Sequence, residues 1–425
     1  MRVLRFSDRG AAVQLLQLAL DRAGFGPLAA DGVFGMRTRD ALLRFQTARA
    51  LSADGVAGAQ THRALMPWYT GFVRHRLRRG ESFYSVAQLY GARVEAVELA
   101  NSEWEAQALP AGAVITVPLP FAVVPTDIAF SSALCALCVR GLTARYPYLA
   151  AASFGRSVMG RPLWMLTLGA GKNRVLYSAA HHANEWITAP LLLKFTEELC
   201  EAFAAGGSLF GRSAAEIFSY ARICLVPLVN PDGVDLVTGE LRQGRRFEEA
   251  RALAARRPEI PFPSGWKANI AGTDLNLQYP AEWETARAIK FEAGFTGPGP
   301  MNYVGPAPLS APESRAMADL TRRFDPALVQ AWHTQGEVIY WRFGGYEVPG
   351  AQDIVGTFAA VSGYTPADTP YAASFAGYKD FFIQDYRRPG FTIEAGLGVN
   401  PLPVGDFDAI RAAARGILTL GTLMT

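Results

Sequence analysis

The 425-residue chain is 50% apolar and 19% charged, with 41 basic residues against 38 acidic ones. That composition excludes a disordered chain, offers no concentrated basic excess for nucleic acid, and at this length predicts two to four domains. No apolar run reaches the roughly 18 residues of a membrane span, and Met1–Gly10 shows no apolar signal-peptide core, which predicts a chain made in the cytoplasm without Sec export.

The first segment, residues 1–67, holds an internal repeat. Asp31-Gly-Val-Phe-Gly35-Met-Arg-Thr38 returns as Asp54-Gly-Val-Ala-Gly58-Ala-Gln-Thr61. In each copy Asp-Gly supplies a turn and Thr sits near a helix start. Val13, Leu15, Leu16, Ala19 and Leu20 have helical spacing, Ala41 to Phe45 predict a second helix, and a third starts near Thr61. With Leu16-Gln17 and Phe45-Gln46, these landmarks resemble the small three-helix peptidoglycan-binding domain.

Residues 70–118 predict a strand at Val73–Leu77, a helix from Phe83 to Tyr90, another from Val94 to Ala100, and a closing strand after Gly112. This βααβ order, with Gly80-Glu-Ser82, Asn101 and Leu109-x-x-Gly112-x-x-Ile115, resembles a LysM module. The resemblance implies binding to the N-acetylglucosamine chains of peptidoglycan. His62 and His75, in these two segments, are read as packing or solvated residues.

Pro118, Pro120 and Pro125 mark a linker into one long block, residues 126–425. Cys135 and Cys138 form a CxxC inside an apolar stretch; no second CxxC accompanies it, so one helix face is the expectation. Strands at 163–168, 175–178, 223–227, 328–332 and 391–393 alternate with helices at 190–203 and from Phe407. The alternation predicts an α/β fold, a mixed sheet flanked by helices.

Between the second of these strands and its helix lies His181-His182-Ala-Asn-Glu185. A His and a Glu three residues apart at such a turn can face one ion, and hydrolytic zinc commonly takes two His and one Glu with a position left open. The chain has five histidines; with His62 and His75 in the front segments and His181 beside His182, only His333 remains, at a strand end. His182, Glu185 and His333 are therefore the predicted metal set, for one zinc per chain.

His182-Ala-Asn-Glu185, Asn230-Pro-Asp-Gly233, Asp274-Leu-Asn276, His333 and Phe391-Thr-Ile-Glu394 follow the order found in zinc metallocarboxypeptidases, and the block resembles that family. The resemblance implies that Glu394 is the general acid/base. It also implies a cation for the oxyanion, matched here by Lys267, with Arg242, Arg245 or Arg246 as alternatives. Asn276 and Tyr371 match substrate-binding positions, Tyr371 being preferred over Tyr378. The family's Arg after that Asn is Leu277 here, so a charged clamp on a terminal carboxylate is lost.

With its two front modules, the chain resembles bacterial γ-D-glutamyl-meso-diaminopimelate peptidases of the endopeptidase I type. Glu337 is a candidate for holding the substrate's N-terminal ammonium. The expected partners are glycan strands and stem peptides, in wall recycling or sporulation. A general metallocarboxypeptidase and a catalytically inactive wall-binding protein are the competing readings.

Overall fold

In the computed structural model, which describes residues 1–424, each copy of the Asp-Gly-Val turn is pinned by a glutamine from the preceding helix. Gln17 Nε2 donates to Asp31 Oδ1 (2.8 Å), Val33 O and Thr38 Oγ1, while its Oε1 accepts from Gly32 N. Gln46 repeats the pattern with Asp54 (2.9 Å), Val56, Thr61 and Gly55. The repeat is thus a turn whose polar groups are satisfied by one buried amide. It links helices α1 (Ala11–Leu20), α2 (Met36–Ala48) and α3 (Ala59–Thr70).

Next come β1 (Phe72–Arg76), α4 (Phe83–Tyr90), α5 (Val94–Leu99) and β2 (Val114–Pro118), the predicted order. The two strands pair antiparallel, Phe72 opposite Pro118, over a core of Leu77, Phe83, Val86, Val97, Ile115 and Val117. Asn101 ties the second helix to the second strand: its amide donates to Val97 O and Thr116 O and accepts from Thr116 N. His62 bonds Tyr69 and Arg2, and His75 bonds Tyr90 and Glu81, so both are spent on local contacts.

Contacts divide the chain into two units, Met1–Ala129 with Ala133–Ala150, and Phe130–Ser132 with the chain from Ala151 onward. Helix α6 (Ser132–Arg145) spans the division and carries Cys135 and Cys138 among its buried residues. Its last residue, Arg145, donates to the carbonyls of Gly71, Leu119 and Phe121, which fastens most of this helix to the first unit.

The second unit is built on an eight-stranded mixed sheet. In chain order it runs β3 (Ala150–Arg156), β4 (Pro162–Leu168), β5 (Asn173–Ala179), α7 (Thr188–Ala204), a small hairpin of β6 (Ser208–Leu209) and β7 (Arg212–Ser213), and α8 (Ala214–Tyr220). Then follow β8 (Ala221–Val226), α9 (Pro231–Val237), α10 (Arg245–Ala254), α11 (Trp283–Glu292), α12 (Pro312–Phe324), β9 (Leu328–His333) and β10 (Val338–Tyr340). The chain closes with α13 (Ala351–Ser362), β11 (Thr365–Ala367), α14 (Tyr378–Tyr386), β12 (Gly390–Glu394) and α15 (Phe407–Leu420).

The strand order is β11-β10-β12-β9-β5-β8-β4-β3, with the central β12, β9, β5 and β8 mutually parallel. Period-two alternation sorts these strands between two layers. Leu176, Val329 and Ala331 pack with Met317 and Leu320 of α12 and with Phe381 and Phe382 of α14. On the other face Tyr177 reaches Leu418 O and the ring of Phe195, and Gln330 reaches Ile417 O, so α7 and α15 cover that side.

Candidate active site

Three parallel strands end side by side at the sheet centre, and each delivers part of one cluster. After β5, Ala180 takes a left-handed φ of 52°, and His181, His182 and the helical turn Ala183–Glu185 follow before α7. β9 ends on His333 and β12 on Glu394, opposite each other in register. The carboxyl ends of parallel strands are where such sheets gather their chemistry, because the chain must leave the sheet there and is free to shape loops.

Asn230 holds the His182 turn in place. Its amide donates to His181 O (3.1 Å) and Ala268 O (3.0 Å), its backbone N–H donates to Ala180 O, and its side-chain oxygen caps α9 at Gly233 N. Ala183 N donates to Lys267 O (3.0 Å), so the 267–268 segment is bound to the same turn. Gly233 lets these pieces close up. A Cβ there would stand 2.7 Å from Ala268 O, 2.7 Å from Asn230 Oδ1 and 2.8 Å from Ala183 Cβ.

The predicted metal residues converge. His182 Nδ1 is 2.9 Å from Glu185 Oε1, His333 Nδ1 is 2.8 Å from Glu185 Oε2, and the two Nδ1 atoms are 3.2 Å apart. All three side chains are buried. Ligand atoms around tetrahedral zinc, with bonds of about 2.0–2.1 Å, stand roughly 3.3 Å from one another, so the donor set fits zinc in type and in spacing. Burial disfavours charge on His182, yet Glu185 foremost, with Asp274, pushes its pKa up to about 9.

Asp274 completes the support. Its Oδ1 faces His182 Nε2 at 3.1 Å and accepts from Asn276 N, while Oδ2 accepts from Asn302 N. Burial alone would raise this carboxyl; the charge and hydrogen bond of His182 outweigh burial and hold it below the usual carboxylate range. A carboxylate on Nε2 keeps the proton there and leaves Nδ1 as the lone pair for a metal. Sequence reasoning gave Asp274 no role, although Asp274-Leu-Asn276 was among its landmarks.

Lys267 Nζ lies 3.3 Å from Glu185 Oε1. Burial lowers the ammonium, but Glu185, Asp274 and Glu394 outweigh it and push it up, so Lys267 stays charged. Among the alternatives, Arg245 and Arg246 pair with Glu249 on α10, and Arg242 donates to Gly239 O. Glu394 is raised chiefly by burial, with Glu185 adding repulsion and His333 opposing.

The remaining candidates are placed less uniformly. Asn276 accepts from Tyr378 N at 3.0 Å, which leaves its NH2 for a ligand. Leu277 is buried against Trp283, Ala286, Val304 and Ala376. Tyr371 is 71% exposed, in the short turn Tyr371–Ala373. Tyr378 is core: it is fully buried, bonds Thr321 at 2.8 Å and stacks on His181. His181 packs between Tyr378 and His333 and bonds Tyr279 OH. Burial, helped by the charges of His333 and His182, keeps it neutral. Glu337 sits half-exposed in the turn from β9 to β10, and among the described residues no hydrogen bond or ion pair joins its side chain to the cluster.

Comparison with known proteins agrees with this geometry. The sequence profile of zinc carboxypeptidases matches residues 138–403, and that of the peptidoglycan binding domain matches residues 9–65. The chain is 45% identical over 285 residues to gamma-D-glutamyl-L-diamino acid endopeptidase 1 of Lysinibacillus sphaericus, covering 67% of this chain and 69% of that one. Its fold resembles carboxypeptidase A of Helicoverpa armigera, with a TM-score of 0.54 at 19% identity over 69% of this chain and 73% of the other. Bovine thrombin-activatable fibrinolysis inhibitor gives 0.53 at 18% identity, over 70% of this chain and 97% of that one. With two histidines and a glutamate gathered at the strand ends and the profile spanning most of the second unit, the chain belongs to the zinc carboxypeptidase family.

Proposed function

We propose that the protein hydrolyses the γ-D-glutamyl–meso-diaminopimelate amide of peptidoglycan stem peptides as a zinc endopeptidase. The observation that carries the reading is the meeting of His182, Glu185, His333 and Glu394 at the ends of three adjacent strands. The peptidoglycan binding match and the endopeptidase relative supply the substrate class.

His182, Glu185 and His333 would hold one zinc ion. Bound zinc supplies Lewis acidity toward the scissile carbonyl and toward water. Glu394 takes the proton of the attacking water on its carboxylate and passes it to the leaving nitrogen, a task its raised pKa suits. Lys267 offers its charge to the developing oxyanion; as an ammonium it does so as a point charge, without the two-pronged geometry of Arg. Asp274 keeps the His182 proton on Nε2. Tyr371, on its exposed turn, and the Asn276 amide border the substrate.

Leu277 favours an endopeptidase over a carboxypeptidase. It packs into an apolar cluster where a terminal carboxylate would lose its water with no charged partner in return. The strand–helix–helix–strand module at 72–118 is read as a LysM module that joins the helical bundle in recruiting glycan. Action on wall fragments or in a sporulating cell is the proposed setting.

The test compares L-Ala-γ-D-Glu-diaminopimelate with the same peptide extended by D-Ala. Both should be cut at the γ-D-glutamyl bond at rates within about tenfold, equivalent to about 1.4 kcal/mol. Cleavage of the shorter peptide alone, or stepwise release of C-terminal residues from ordinary α-linked peptides at a comparable rate, would refute the endopeptidase reading.

A further inference from the structure

Helix α11 runs beside the turn that carries Asp274, Asn276 and Leu277. Its Trp283 and Ala286 pack on Leu277, and Trp283 Nε1 donates to Val304 O, next to Tyr303, whose carbonyl accepts from Asp274 N. Lys290 lies one helical turn beyond Ala286, on the same face. Its Nζ donates to Ala372 O at 2.8 Å, in the turn headed by Tyr371.

Three features mark this ammonium. It is half-buried, and the segment following it, through Pro300, accepts from the backbone N–H groups of Lys267 and Ala268. One of its three donors is used by Ala372 O, and among the described residues no carboxylate forms an ion pair with it. Burial lowers its pKa, with Asp274 opposing and Lys267 adding to the shift.

A half-buried lysine held by a single carbonyl retains donors for an anion. We propose that Lys290 binds a carboxylate of the stem peptide beside the scissile amide, as a positioning and specificity-determining residue. The assignment rests on the endopeptidase reading. A γ-D-glutamyl-diaminopimelate peptide offers two such groups that persist when a residue follows: the free α-carboxylate of glutamate and the side-chain carboxylate of the diamino acid.

The experiment measures kcat and KM of the full chain, Lys290→Met and Lys290→Arg on L-Ala-γ-D-Glu-diaminopimelate and on two analogues that each lack one carboxylate. These carry D-isoglutamine for D-glutamate or L-lysine for diaminopimelate. On the parent peptide Lys290→Met should lower kcat/KM by about 10- to 100-fold, mainly through KM, as loss of a charge-assisted hydrogen bond requires. On one analogue that penalty should shrink below about threefold, and Lys290→Arg should recover part of the loss on the parent. A penalty equal on all three peptides would mean that Lys290 only props the Tyr371 turn, and no penalty on any would mean that it binds nothing; either result overturns the assignment. Wild-type enzyme that leaves every peptide intact would overturn the endopeptidase reading and the role of Lys290 with it.

Discussion

Asp274 and Glu394 are carboxylates in the same pocket with opposite environments. Asp274 is held ionised by His182, whereas Glu394 is pushed toward protonation by burial. Asp274→Asn should therefore weaken zinc binding by about 10- to 100-fold in competition with a chelator, as loss of a partner on a ligating His does. Unchanged affinity would remove Asp274 from the site. Glu394→Gln should keep zinc and fold while turnover falls on the order of 10²–10⁴-fold. Near-normal turnover would exclude it as the base. His182→Ala or His333→Ala should lose metal and activity together, and zinc retained in both would reject the ligand set. His182, Glu185 and His333 were legible because the chain has so few histidines and the motif is local. The roles of Asp274 and Lys290, and the burial of Tyr378, were not legible: each depends on which distant segment the fold brings up, and spacing along the chain carries no such information.

At the scale of elements, the cluster depends on how tightly the β5 turn, α9 and the 267–268 segment close. Gly233→Ala should cost about 1–3 kcal/mol in stability and lower activity through displacement of the His182 turn, since the new methyl has backbone and side-chain atoms inside contact distance on three sides. A fully stable, fully active variant would show that the junction gives way easily. Glu313 at the start of α12 joins the same framework, accepting from Val158 N at 3.0 Å and Asn269 Nδ2 at 3.2 Å. Burial pushes its carboxyl up to about 7. Below the usual carboxyl pKa of 4.5 the group is neutral in both states. From there to about 7 the unfolded chain ionises first, so stability should fall by roughly 3 kcal/mol as pH rises and then level off. Glu313→Gln should remove that part of the slope, whatever its constant offset, in melts taken from pH 4 to 8; an unchanged slope would reject the cause. The central strands were legible as apolar runs bounded by turns, whereas β10 and β11, three residues each, are too short for any periodicity to show and exist through their pairing with β12 and each other.

At the scale of the molecule, the proposed function divides recruitment by the peptidoglycan-binding bundle from chemistry in the zinc carboxypeptidase domain. The bundle repeat was visible in the sequence as two Asp-Gly-Val turns with Gln17 and Gln46 among its landmarks, while the hydrogen bonds by which these glutamines hold the turns emerged only with the fold, because they lie on helices that precede the turns. Peptide-free glycan chains should displace the full-length protein from insoluble peptidoglycan and leave hydrolysis of a soluble tripeptide unchanged; inhibition of both would place glycan binding in the catalytic cleft. The central claim is the bond that is cut, and the most direct measurement is mass spectrometry of defined muropeptides after incubation with the zinc-loaded protein. The account predicts L-Ala-D-Glu left on the N-terminal side and a fragment beginning with diaminopimelate on the other. Release of an intact stem peptide from muramic acid, loss of only the C-terminal residue, or no cleavage by zinc-loaded protein would contradict it.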